Sequence, residues 1–281
     1  MKRFINFLFS LIIFVSLFLL TIVINLNFLF KGSNLKKINE NIDYTELINL
    51  SGKNIDIEND LNNIYNNLIL IKLDSKKIDE IYNSRYLKDS IYSIENSSIN
   101  YLLYNKKYDA LDENELNEIS KKYSNDDDFN KAFPLFNKVL INFSMKAKES
   151  IDSIPSKYLK VIRFMFSNNF KIILITIITI SCIILIFIDK EKFIPNIFVP
   201  TLILGILELL IVFFAPNLIY KYLDEFIYVV INPYLSSFNR TLLITSLIIM
   251  IVSVIYLAIY DRTESKSKIV LKKKIRNKNI E

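Results

Sequence analysis

The stretch FINFLFSLIIFVSLFLLTIVINLNFLF, from Phe4 to Phe30, contains no charged residue. About 20 helical residues cross the hydrocarbon core of a bilayer, so this stretch is long enough to span it with some tilt. Lys2 and Arg3 precede it, as in a secretory signal peptide, but the apolar run is too long for one and no small-residue cleavage site follows. We therefore expect residues 1–30 to form a retained transmembrane anchor.

Three further apolar stretches follow in the second half of the chain. They are IILITIITISCIILIFI from Ile172 to Ile188, then Ile194 to Ala215, then Thr241 to Tyr260. Each approaches or exceeds the length that a bilayer requires. The sequence thus predicts an all-α integral membrane protein with four transmembrane helices, in which residues 169–260 form a three-helix membrane region.

Composition excludes several classes of enzyme. Hydrophobic residues make up 52% of the chain and charged residues 23%, which favours separate apolar and polar blocks over one soluble core. The absence of histidine excludes a Ser-His-Asp triad and an HExxH zinc site. Cys182 is the only cysteine, so the chain cannot form an internal disulfide or a cysteine zinc site. We expect no enzyme activity, no metal site and no cofactor.

Basic residues near the ends of the spans predict the orientation. Eight of them lie in the tail, residues 261–281: Arg262, Lys266, Lys268, Lys272, Lys273, Lys274, Arg276 and Lys278. An even number of spans puts both termini on one side, and this tail indicates the cytoplasmic side. We therefore expect a multi-pass cell-membrane protein in which residues 31–168 are extracytoplasmic. Lys272, Lys273, Lys274 and Arg276 are candidate ligands for lipid headgroups, although a solvated tail that only enforces topology is the favoured explanation.

Helical periodicity dominates residues 31–168. Apolar stripes recur along this region: Leu35, Ile38, Ile42; Ile57, Leu61, Ile64, Leu68; Ile78, Ile81, Tyr82; Leu87, Ile91, Ile94; Leu116, Ile119, Tyr123; and Phe133, Phe136, Leu140. Asp112 and Glu115 form a capping-box-like helix start. We expect a small extracytoplasmic domain of five to seven short helices, with a break near Asn96–Ser98 and with Pro134 in a first turn. Basic and acidic residues are balanced, which indicates no nucleic-acid partner.

Two clusters in this domain resemble sites. The acidic run from Asp109 to Glu115 lacks the glycine and the ligand spacing of a calcium loop, so we expect it to serve capping and solvation. Six tyrosines could form a ligand-binding surface, but we expect them to cover a small core with their hydroxyls in water. They are Tyr82, Tyr86, Tyr92, Tyr101, Tyr104 and Tyr108.

Two amphipathic segments flank the membrane region. Residues 156–167 place Tyr158, Val161, Ile162 and Met165 on one face, and Asn168-Asn169 should break this helix before the second span. A second apolar face runs from Ile219 to Ile231 and should end at Asn232-Pro233. We expect both segments, the second near residues 217–231, to be helices that lie in the outer interface of the membrane.

Glu208 is the one charged residue deep within a span. A buried carboxylate costs about 2–3 kcal/mol on insertion scales, so it should face protein or water. Counting along the spans at about 1.5 Å per residue places Asn25, Thr179 and Ser246 at a similar depth. These four residues form a candidate intramembrane polar site. It is either a contact for an ion, proton or substrate, or a protonated glutamate that holds helices together.

Four segments carry a resemblance to a known group of proteins. They are IDYTELI (Ile42 to Ile48), LDSKKIDEIYNS (Leu73 to Ser84), INYLLYNKK (Ile99 to Lys107) and FMFSNNFKIILI (Phe164 to Ile175). With the order of spans, they make the chain similar to a group of uncharacterised four-span membrane proteins of clostridia and related low-GC Gram-positive bacteria. The resemblance covers nearly the whole chain and implies no activity.

The span order also resembles that of FtsX-like and MacB-like transporter permeases, but residues 189–192 are too short to be their ATPase-coupling segment. The leading hypothesis is a non-enzymatic envelope protein whose extracytoplasmic domain binds membrane lipids, a ligand or another envelope protein. The alternative is a transporter or channel component organised around Glu208.

Overall fold

The computed structural model describes residues 1–44, 68, 75–121, 127–223 and 225–278. The side chains of residues 75, 225, 226 and 266–278 lie outside this description, as does most of the stripe from Ile57 to Leu68. All regular structure in the described part is helical, which confirms the all-α class. Its helices are α1 (Lys2–Leu29), α2 (Gly32–Glu40), α3 (Ser75–Tyr82), α4 (Arg85–Tyr104), α5 (Glu113–Lys121), α6 (Asp127–Asp152), α7 (Ser156–Phe166), α8 (Asn168–Ile188), α9 (Phe193–Tyr222) and α10 (Glu225–Lys278).

Four helices are long and apolar enough to cross a membrane. They are α1, α8, α9 and the Ile227–Ser265 part of α10. These helices cover the four stretches predicted from the sequence, apart from Phe30, which follows the end of α1. The protein therefore has the helices of a multi-pass membrane protein. Each helix extends beyond its predicted stretch because flanking polar residues can continue a helix into the headgroup region.

The separate interfacial helix predicted near residues 217–231 is replaced by continuations of two spans. α9 runs on to Tyr222, and α10 begins at Glu225 and continues through Pro233. Proline removes only one backbone donor, and long membrane helices tolerate this loss. Asn232-Pro233 therefore does not end a helix, and the apolar face from Ile219 to Ile231 is shared between α9 and α10.

The chain folds as two compact units. The first, here called the membrane unit, comprises Met1–Asn25, Asn168–Asn217 and Asn239–Glu281. The second, here called the helical unit, comprises Leu26–Ser167 and Leu218–Phe238. Most of the predicted extracytoplasmic domain thus belongs to one unit, which also includes the end of α9 and the start of α10.

The interior of the membrane unit is lined by small polar side chains as well as apolar ones. The buried polar residues are Ser16, Thr21, Asn25, Ser181, Glu208, Ser246 and Ser253, whereas large apolar residues such as Ile175, Phe213 and Ile255 are exposed. In lipid, apolar side chains gain little from facing inward, and helices associate through close packing and hydrogen bonds instead. This distribution is the one expected for a bundle surrounded by hydrocarbon.

The helical unit has a conventional apolar core. Its buried members come mainly from α3, α4 and α6, with contributions from Leu68, Leu111 and Leu116. Tyr82 of α3 packs edge-to-face against Phe136 of α6, with ring centroids 5.2 Å apart. The stripes that the sequence placed on these helices therefore meet in one cluster.

Three of the six tyrosines differ from the prediction that their hydroxyls face water. Tyr82, Tyr86 and Tyr108 are buried in the core. The Tyr86 hydroxyl donates to the side chain of Asn137, and the Tyr108 hydroxyl donates to the carbonyl of Ser144 at 2.7 Å. A buried hydroxyl must find a partner, and these two do so on α6, which a sequence stripe alone does not reveal.

The helix boundaries in the structure agree with the sequence prediction at one position and differ from it at three. Asp112 accepts the amide of Glu115 at 2.9 Å, which confirms the predicted start of α5. α4 is continuous through Asn96–Ser98, and Pro134 lies inside α6 rather than in its first turn. α7 is separated from α8 by Ser167 alone, so Asn168-Asn169 begins the second span instead of breaking the helix before it.

Arg163 fixes α7 against the end of α4. Its guanidinium donates to the carbonyls of Leu102 and Tyr101 at 3.2 and 3.0 Å. These carbonyls lie in the last turn of α4, which has no intrahelical donors and carries a partial negative charge. Asn105, with φ of 54°, ends α4 in the left-handed conformation. A single arginine thus satisfies a helix terminus and orients the neighbouring helix.

Candidate functional site

Glu208 lies on α9 inside the membrane unit and is fully buried. Its Oε1 atom is 2.5 Å from Oγ1 of Thr21 on α1, and Thr21 Oγ1 also lies 2.9 Å from the carbonyl of Phe18. The second carboxyl oxygen, Oε2, is buried without a hydrogen-bond partner in the described structure. The carboxyl therefore joins α1 to α9 through one of its two oxygens.

This geometry fits a neutral carboxyl better than an ionised one. A threonine hydroxyl carries one proton, and in a helix it commonly donates it to a nearby backbone carbonyl. If the Thr21 proton goes to Phe18, the carboxyl must donate to Thr21. An ionised carboxylate with one unpaired oxygen in this interior would carry a large desolvation cost. The contact thus favours the interhelical role that the sequence left open for Glu208.

The other predicted members of the intramembrane site make separate contacts. Asn25 of α1 donates to the carbonyl of Thr21 at 2.8 Å and to Oγ1 of Thr245 on α10 at 3.2 Å. Ser246 is buried and donates to the carbonyl of Leu243 at 2.9 Å. Thr179 is exposed and donates to Ile175 of its own helix. The structure therefore links Glu208 and Asn25 through Thr21, and it places Thr179 apart.

α9 and α10 approach each other closely at Gly205. A Cβ atom at Gly205 would lie 2.5 Å from Cγ of Met250 and 3.2 Å from the carbonyl oxygen of Ser246. Farther along the same pair of helices, the rings of Phe198 and Tyr256 stack with centroids 4.4 Å apart. Ser246 thus contributes to the layer of Glu208 by packing against Gly205.

The tail candidates Lys272, Lys273, Lys274 and Arg276 lie on the helical backbone of α10, but their side chains are outside the described structure. Their proposed interaction with lipid headgroups stays a prediction.

A second polar cluster, which the sequence analysis missed, lies within the helical unit around Glu95 of α4. Oε1 of Glu95 accepts the Tyr234 hydroxyl at 2.7 Å, and Oε2 accepts the Asn39 amide at 3.2 Å. Asn39 in turn accepts the Tyr44 hydroxyl at 2.7 Å. The cluster thus joins α2, α4 and α10. Glu95 lies four positions after Ile91, on the apolar stripe of α4. An acidic residue on this stripe is the sequence feature that could have predicted the cluster.

Burial raises the pKa of the Glu95 carboxyl above its ordinary value of 4.5, although the hydrogen bonds from Tyr234 and Asn39 oppose this effect. Burial and the nearby Glu95 also raise the pKa of Tyr44. The folded helical unit therefore holds the Glu95 proton more tightly than the unfolded chain does. Its contribution to stability is full below 4.5 and is lost as pH rises through the folded pKa.

We expect Glu95→Gln to remove this pH dependence. Each unit by which the pKa is raised corresponds to about 1.4 kcal/mol of stability lost at high pH. The measurement is amide hydrogen exchange of α4 in the full chain at several pH values, as the ratio of variant to wild type so that intrinsic rates cancel. The ratio should fall from low to high pH, because only the wild type loses protection. A ratio independent of pH would show that Glu95 does not titrate across the fold.

Comparison with known proteins adds no family: the sequence matches no protein-family model and no curated protein, and no solved structure matches the chain.

Proposed function

We propose that this chain is a non-enzymatic envelope protein whose helical unit lies outside the cytoplasm and binds the outer surface of the membrane through α7. The single observation that carries the proposal is the exposed apolar face of α7. Tyr158, Val161, Phe164 and Met165 are between 38% and 57% exposed, although no span includes them. Soluble helices rarely leave such a stripe in water.

The charges of α7 favour a lipid surface as the partner of this face. The helix contains Lys157, Lys160 and Arg163 and no acidic residue, and both lysines are exposed. A basic amphipathic helix of this kind binds the boundary between headgroups and acyl chains, where anionic lipids add electrostatic attraction. Only Ser167 separates α7 from the span α8, so covalent connection keeps it near the bilayer.

The basic tail supports the orientation. Its Lys and Arg residues favour a cytoplasmic C-terminus. With four spans, a cytoplasmic C-terminus implies that residues 31–168 lie on the other side of the membrane. The alternative function, a transporter or channel component organised around Glu208, has less support. Glu208 is enclosed between helices and contacts Thr21, which suits packing better than a path for ions.

Single-cysteine labelling of the full chain tests the proposal. In a Cys182→Ser background, a fluorophore at Val161→Cys should be strongly quenched by lipids that carry a spin label near the headgroup. The matched control is Lys160→Cys, which lies next to Val161 in the sequence but on the polar face of α7. A fluorophore at this position should be quenched several-fold less. Equal quenching at both positions would contradict the docking of this face.

The same background tests the orientation in intact cells. Lys107→Cys lies in the segment between α4 and α5 and should react with a membrane-impermeant maleimide added outside, whereas Lys190→Cys, between α8 and α9, should react only after permeabilisation. The reverse pattern would overturn the extracytoplasmic assignment.

A further inference from the structure

A cavity of about 600 Å³ lies at one end of the membrane unit, and none of the contacts described above accounts for it. Its polar wall is built from the start of α1, the turn after α8 and the start of α9. The polar residues are Lys2, Arg3, Asn6, Ser10, Asp189, Glu191, Lys192 and Asn196. Phe7 and Val199 line it as well and are 65% and 43% exposed, so one side of the cavity is apolar and open.

Asp189 fixes the polar wall. Its carboxylate accepts the Asn6 amide at 2.9 Å and lies 3.3 Å from Nζ of Lys2. Burial opposes the charge, but the hydrogen bonds from Lys2 and Asn6 prevail and lower the pKa of Asp189. The carboxylate is therefore ionised at neutral pH, and it holds α1 in a fixed position beside the turn after α8.

Two buried polar atoms in this wall have no partner in the described structure. They are Oδ1 of Asn6, an acceptor, and Nδ2 of Asn196, a donor. Buried polar atoms are nearly always hydrogen-bonded, so this pair of atoms at one cavity favours a ligand that offers one donor and one acceptor. Three basic residues, Lys2, Arg3 and Lys192, line the cavity with two acidic ones, Asp189 and Glu191, so basic residues are in excess by one. Lys2 pairs with Asp189, whereas neither Arg3 nor Lys192 forms an ion pair with a described carboxylate.

We propose that this cavity binds the headgroup of an anionic phospholipid that carries a free hydroxyl. The phosphate lies between Arg3 and Lys192 and accepts from Nδ2 of Asn196, and the hydroxyl donates to Oδ1 of Asn6. The exposed Phe7 and Val199 contact the acyl chains. The cavity lies where α1 and α9 begin, which is the depth at which headgroups meet a spanning helix.

The test uses the full chain in detergent micelles and measures lipid binding by native mass spectrometry. Phosphatidylglycerol should bind more tightly than phosphatidylcholine, which has neither net charge nor a free hydroxyl. The double variant Arg3→Gln/Lys192→Gln should weaken phosphatidylglycerol binding about tenfold or more, because each of the two basic residues should contribute several-fold to the affinity. The matched control Lys190→Gln/Arg262→Gln removes the same charge at exposed residues outside the cavity, and should leave binding within about twofold of the wild type.

Asn196→Leu separates binding from folding. Its amide nitrogen has no partner to lose, so thermal stability without lipid should be unchanged while phosphatidylglycerol affinity falls. Equal binding of the two lipids, or equal weakening in the cavity and control variants, would overturn the proposal. Competition by soluble glycerol 3-phosphate distinguishes a lipid headgroup from a soluble ligand, since both offer a phosphate and a hydroxyl. Displacement at similar concentrations would support the phosphate site with a soluble ligand, and no displacement would support a lipid.

Discussion

Phe136→Ala is expected to destabilise the helical unit by about 3–5 kcal/mol, the cost typical of removing a buried phenylalanine. Phe136 is 1% exposed at the centre of the core and packs edge-to-face on Tyr82. The truncation removes both the buried apolar area and the aromatic contact that joins α6 to α3. Since whole domains are stable by only about 5–15 kcal/mol, this one change should bring the helical unit close to unfolding.

The effect can be measured in the full chain by hydrogen exchange of the α3, α4 and α6 amides. A loss of this size corresponds to exchange that is about 100-fold faster or more, because each 1.4 kcal/mol is about a factor of ten. Met145→Ala is the matched control, since Met145 lies on the same helix and is 46% exposed. It should change exchange by less than about threefold. Similar acceleration in both variants would show that the core does not depend on Phe136.

The helical class and the four spans could be predicted because nearly every residue of a span must be apolar enough for the hydrocarbon core. A run such as Ile172 to Ile188 satisfies it by composition alone. The ends of the helices follow no comparable rule. α10 passes through Pro233, and α9 extends to Tyr222, because tertiary packing decides whether a local signal for termination prevails.

The polar sites likewise include residues that the sequence predicts and contacts that it does not. Glu208 was visible in the sequence because a lone carboxylate in a span is costly wherever its partners lie. Its partner Thr21 was one of several polar residues at that depth, and only the rotation of α1 selects it. The contact between Asn6 and Asp189 joins positions 183 residues apart, and neither an asparagine near the end of a span nor an aspartate in a turn is unusual. Spatial clusters of common residues carry no signal in a single sequence.

Gly205→Val is expected to destabilise the membrane unit by about 1–3 kcal/mol, as overpacking of a tight interface does. The added Cβ would lie 2.5 Å from Cγ of Met250 and 3.2 Å from the backbone oxygen of Ser246. The Met250 side chain can move, but the backbone of α10 can yield only if the two helices separate. Separation would in turn disturb the stacked rings of Phe198 and Tyr256 on the same helices.

Heating the detergent-solubilised protein with a thiol-reactive fluorogenic dye measures this effect, because Cys182 is the only cysteine and lies half-buried on α8. Gly205→Val should lower the temperature at which Cys182 reacts. Met250→Ala should partly restore it in the double variant, with a coupling of about 0.5–3 kcal/mol, since it removes the nearer of the two conflicting atoms.

Glu208→Gln is the matched control for the same layer of the bundle. A neutral carboxyl that is hydrogen-bonded to Thr21 can be replaced by an amide of nearly the same volume and without charge, which can donate or accept at this contact. The reaction temperature of Cys182 should therefore stay close to that of the wild type. If Glu208→Gln destabilised the bundle as much as Gly205→Val, the neutral carboxyl would be contradicted. The layer would then depend on a buried charge as well as on the close approach of α9 and α10 at Gly205.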